Sequence, residues 1–134
     1  MAKLTTIEGI GVTLERKLKK GGIGSTDSLL KKGATKKGRV EIATACKIDE
    51  GRVLKFVNHA DLMRVKGVGG EYAEILEAAG VDSIPELSRR KPANLAGKMA
   101  EVNKKKKLVR AVPTEKRATD WVKQAGELGR AAGH

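Results

Sequence analysis

The chain has 134 residues, with 28 lysines and arginines against 16 aspartates and glutamates, for a net charge of +12. Apolar residues make up 40% of it but aromatic residues only 2%, so its core must be aliphatic, and stacking platforms for single-stranded bases are disfavoured. Cys46 is the only cysteine, which excludes an intramolecular disulfide; no apolar run approaches the ~20 residues of a membrane span, and the first six residues lack a signal-peptide core. A cytoplasmic protein with no membrane association is therefore expected.

The abundance of alanine, leucine, lysine and glutamate, without alternating strand patterns, predicts an all-α fold. After a short lead, Ile7-Glu8-Gly9-Ile10-Gly11 runs into a helix expected from about Thr13 to Lys20. Gly21 and Gly22 stop it, and Ser25 can cap a short helix carrying Leu29 and Leu30. Thr35 can cap a third helix to about Cys46, and Asp49 a fourth carrying Val53, Phe56, Val57 and Ala60.

The design then repeats. Val65-Lys66-Gly67-Val68-Gly69-Gly70 matches the first glycine stretch 58 positions later, and the match continues without a gap through Leu18 and Leu76, Gly22 and Gly80, and Ser25 and Ser83. A repeat of this quality outweighs any single motif. Ser83-Ile84-Pro85-Glu86 reads as a capping box with proline in the first turn, and Pro92 opens the next helix. Val112-Pro113-Thr114 opens the last, where Trp121 to Ala125 parallel Phe56 to Ala60. The second copy has extra length between Asn103 and Val112, including Lys104 to Lys107, expected as a loop or a basic contact. Two units of about four helices are expected, residues 1–64 and 65–128, with 129–134 as a tail, packed as one compact pseudo-symmetric domain.

The pattern apolar-x-Gly-apolar-Gly-x-x-x-Ala resembles the helix-hairpin-helix motif. Residues 65–76 fit it closely, with Ala73 at the small position, whereas Glu15 departs from it in residues 7–18. From about residue 4 to 128 the chain resembles a bacterial family of unknown function built from two such (SAM-like) units. The resemblance implies sequence-independent, non-enzymatic binding of nucleic acid, duplex DNA in particular. Hairpin amides at a helix start suit a phosphate, since unpaired N–H groups and the helix dipole both favour negative charge.

The residues expected to carry this are Gly9, Ile10, Gly11, Thr13, Arg16 and Lys17 at the first hairpin, and Arg64, Lys66, Gly67, Val68, Gly69 and Gly70 at the second. Two basic clusters follow at equivalent places, Lys31-Lys32 with Lys36-Lys37 and Arg39, and Arg89-Arg90-Lys91. They either neutralise flanking phosphates or only solubilise the surface. Glu71, in the second hairpin's first helical turn, opposes an anion. The alternative reading is a protein-interaction scaffold with a protein partner and no nucleic acid.

His59 lacks companions for a zinc set, so no metal or cofactor is expected. His59 or Asp61 instead reads as a cap for the following helix. Cys46, in an apolar helical context, reads as core, and nothing marks a catalytic site or a phosphate-binding loop.

Overall fold

The computed structural model describes residues 3–128. A single 3-10 turn, Leu4–Thr6, precedes α1 (Val12–Lys20), α2 (Thr26–Lys32), α3 (Lys36–Cys46) and α4 (Glu50–Leu62). The chain continues through α5 (Gly70–Ala78), α6 (Ile84–Ser88), α7 (Pro92–Lys106) and α8 (Glu115–Leu128). No strand occurs among the described residues, and none of their helices is long and apolar enough to cross a membrane. Contacts divide the chain into two compact units, one ending at Asp61 and the other beginning at Leu62.

Within the first unit, α1 packs on α3 and on the initial 3-10 turn. Every third or fourth residue of α1, Leu14 and Leu18, is buried, which is the spacing of one helical face. Gly22, left-handed at φ +88°, closes α1: the Ile23 amide donates to Leu18 and the Gly22 amide to Lys19. Ser25 and Ser28 cap α2 reciprocally, and Thr35 accepts from the Gly38 amide at the start of α3. Gly38 itself is fixed by sterics, because a Cβ there would lie 1.8 Å from the Lys32 carbonyl oxygen.

The second unit reuses this plan with an all-aliphatic core around one tryptophan. α8 packs on α6 and α7, and α5 on α7, burying Leu76, Ile84, Leu87, Leu95, Met99 and Trp121. α5 ends with the same two bonds as α1, Val81 to Leu76 and Gly80 to Glu77. Ser83 caps α6 by accepting from the Glu86 amide, but the expected box is only half formed, because the Glu86 carboxylate is drawn to Arg90 instead. Thr114 takes the cap position of α8, accepting from Arg117.

Two expectations change. Lys104 to Lys106 form the last turn of α7, where cations complement the helix dipole, and only Lys107 leaves the helix, in the left-handed region. Asn103 secures the loop that follows by exchanging two hydrogen bonds of 3.0 Å with the Val109 backbone. His59 and Asp61, expected just ahead of a helix start, lie inside α4, which runs on to Leu62, and both are buried.

Candidate functional site

Helices α1 and α5, one in each unit, are entered through the same backbone turn. Gly9 has φ +94° and Gly67 φ +96°, a region that costs other residues about 1 kcal/mol or more. The Ile10 amide donates to Ile7, and the Val68 amide to Val65, both at 3.1 Å. Ile10 and Val68 are buried and pin the turns inward. Each turn also lies against the aromatic residue of its unit's last helix. A Cβ on Gly9 would sit 3.1 Å from Phe56, and one on Gly67 would sit 3.2 Å from the Trp121 ring nitrogen. These two glycines are therefore required by the fold.

Gly11 and Gly69 are different. They occupy the N-cap positions of α1 and α5 with φ −90° and −94°, which any residue adopts, and a Cβ at either would meet nothing within 4 Å. Neither φ nor packing within the chain calls for glycine there. Neither helix start has a side-chain cap, although serine or aspartate would stabilise it. The unbonded amides of the first turn thus stand behind a position with no side chain, open to close approach.

The two glycine turns lead into helices of opposite charge. Helix α1 has four basic residues and one acidic, with Thr13, Arg16 and Lys17 all exposed. Helix α5 has three acidic residues and no basic one, beginning with Glu71 in its first turn. Gly70 is its first residue, and Lys66, just before the turn, is exposed. The Lys66 backbone is held by Gln124, whose side chain accepts from the amide at 2.9 Å and donates to the carbonyl at 3.1 Å. Reading the sequence did not reveal this clamp. Gln124 stood out only as the counterpart of His59.

The basic clusters divide by what holds each side chain. Arg39 donates to the Gly33 carbonyl at 2.9 Å. Arg90 chelates Glu86 and also donates to the Gly80 carbonyl at 2.9 Å, and Arg64 reaches the Leu128 carbonyl at 3.4 Å. These three guanidiniums tie loops and helix ends together. Lys36 and Lys37 are exposed in the first turn of α3 and Lys91 at the N-cap of α7, while Arg89, exposed at the end of α6, reaches Glu86 at 4.0 Å. Lys36 and Lys37 oppose the α3 dipole, a placement that costs a few tenths of a kcal/mol and is disfavoured on stability grounds alone.

Lys32 and Glu41 form an ion pair across the end of α2 and the face of α3. The hydrogen bond and charge of Lys32, with a smaller contribution from Lys37, hold the Glu41 carboxyl below the usual carboxylate range. A lowered acid pKa stabilises the fold above the ordinary carboxylate range, and that contribution disappears as pH falls through the group's own lower value. Both groups are about half exposed, so the contribution is small. A carbon-detected NMR titration is expected to place the Glu41 midpoint below the ordinary glutamate range, and Lys32→Gln to raise it toward that range. An unchanged midpoint in Lys32→Gln would remove Lys32 as the cause.

Burial pushes the Cys46 thiol pKa up against the opposing charge of Lys17, which keeps it protonated and poorly nucleophilic. No group of three or more histidine, cysteine, aspartate or glutamate side chains able to hold a metal gathers among the described residues.

The described architecture is that of an all-helical protein whose two units present equivalent glycine turns at helix starts. Over residues 8–128 the chain matches a domain of unknown function, DUF4332, and it belongs to that family. No curated protein and no solved structure matches it.

Proposed function

We propose that this chain is a tandem helix-hairpin-helix protein that binds duplex DNA through its phosphates, without reading sequence and without catalysis. The observation that carries this reading is the pair of N-cap glycines, Gly11 and Gly69, which leave helix-start amides uncapped and open. Such a start offers an anion several N–H donors and the positive end of a helix dipole. The net charge of +12 supports a polyanionic partner through counterion release.

The charge inversion makes the first hairpin the stronger grip. Thr13, Arg16 and Lys17 flank its turn, and Lys36 and Lys37 provide further cations in the same unit. Val12, 59% exposed at that hairpin, and the acidic face of α5 instead favour a second reading, a protein-docking scaffold. Fluorescence anisotropy with labelled duplex over a salt series separates the two. Binding is expected to weaken log-linearly with salt, with a slope near −4 if about four phosphates are contacted. Failure to bind duplex near 0.1 M salt, where a ~micromolar binder would still register, would favour the scaffold.

A further inference from the structure

The first unit contains two adjoining pockets that share a wall. The outer one is a groove of about 520 Å³ lined by Lys31, Lys32, Lys37, Ser28, Thr35 and Glu41. The inner one is a chamber of about 210 Å³ whose lining includes Leu18, Ile23, Ile42 and Cys46, each no more than 4% exposed. Lys32 and Glu41 line both, so their ion pair separates a basic, hydroxyl-bearing vestibule from an apolar interior.

We propose that this compound pocket binds a short-chain aliphatic carboxylate, its alkyl chain in the chamber and its carboxylate on Lys32 in place of Glu41. The chemistry follows from the lining. A site that accepts a ligand combines a mostly apolar wall with a few placed polar groups, as the two pockets together do. The exchange is conservative in charge. Lys32 keeps a carboxylate partner, and Glu41, already half exposed, turns to water. Lys31 and Lys37 face the same groove and favour an anionic head over a neutral one. Size sets the tail. A cavity of about 150 Å³ accepts benzene, so the chamber takes a chain of roughly five to seven carbons. This proposal stands on a different observation from the nucleic-acid reading, the paired pockets, and uses neither glycine turn, although Lys37 figures in both.

Cys46 serves as the reporter, because its thiol is the chain's only one and lies on the chamber wall. Labelling of the full chain by a thiol-specific disulfide reagent is followed with butyrate, hexanoate and decanoate, and with hexanol as the neutral match. Saturating hexanoate is expected to slow labelling at least tenfold. Affinity should rise about threefold to fourfold per methylene from butyrate to hexanoate and stop rising by decanoate. Lys32→Gln is expected to weaken hexanoate at least fivefold while leaving hexanol unchanged. Ala45→Trp, at an exposed position on the chamber's rim, should block both ligands with the helical circular dichroism intact. The proposal is overturned if hexanoate leaves the labelling rate unchanged, if affinity ignores chain length, or if hexanol protects the parent chain as well as hexanoate does.

Discussion

Replacing Gly11 by aspartate is expected to leave the chain as stable as the parent, or slightly more so, while weakening duplex binding between tenfold and a hundredfold. The two effects have opposite signs because they act on the same amides. The backbone at Gly11 is extended, with φ −90° and ψ −176°, and open space surrounds the missing side chain. Aspartate fits this conformation and caps the first turn of α1, which stabilises a helix by a few tenths of a kcal/mol relative to glycine. The capping carboxylate then occupies the donors that a phosphate would use and adds a repelling charge. Losing one charge-assisted contact of about 1.5–3 kcal/mol gives the stated range.

The matching change at Gly69 is expected to weaken binding less. α5 already carries Glu71, Glu74 and Glu77, so its contribution to an anion grip is smaller from the start. Gly11→Ser separates capping from charge: it closes the amides without adding a carboxylate, and its loss should fall between those of the parent and the aspartate variant. Thermal unfolding and anisotropy on the same samples supply both readouts. An aspartate variant that binds duplex like the parent would remove the first hairpin from the interface.

Trp121→Ala is expected to cost 3–5 kcal/mol of stability, the usual range for truncating a buried large aromatic. Trp121 is 1% exposed in the core of the second unit. It lies against the Gly67 turn and packs on Tyr72, with ring centroids 5.4 Å apart and the planes tilted by 52°. Tyr72 is fixed in turn by its hydroxyl donating to the Ala111 carbonyl at 3.2 Å and by the Arg117 guanidinium 5.5 Å from its ring centroid. The substitution therefore opens a cavity and also removes the support of the second glycine turn. The loss is large against the 5–15 kcal/mol that holds a typical domain together. Urea unfolding of the full chain measures it. A cost below about 1 kcal/mol would mean that the turn does not depend on the tryptophan.

The positions of the helices were readable wherever a local rule decided them. The serine caps at 25 and 83, proline at 92 and the glycine stops at 22 and 80 each act within one turn of chain, and the structure places helix ends at all of them. The repeat exposed the shared turn, because Gly9 and Gly67 answer the same backbone demand 58 residues apart.

Side-chain commitments were not readable, since they depend on residues brought near by folding. Arg39 and Arg90 look like free cations in the sequence, yet each donates to a backbone carbonyl six or ten residues away. Gln124 reaches Lys66 across 58 residues. Nothing before His59 stops α4, so a polar stretch that resembled a helix start became buried helix interior. The distinction between the two glycines of each turn also depends on the folded backbone. Gly9 and Gly67 are required by conformation and packing, whereas Gly11 and Gly69 are required by neither.

The most direct test of the hairpin reading is a two-dimensional amide NMR titration with a short duplex of arbitrary sequence. The account predicts saturable shifts at the amides of residues 11–14, smaller ones at 69–72, and accompanying shifts at Lys36 and Lys37. Shifts confined to the lysine-rich end of α7, with the amides of 11–14 unmoved, would contradict it and reduce binding to diffuse attraction between a basic surface and a polyanion.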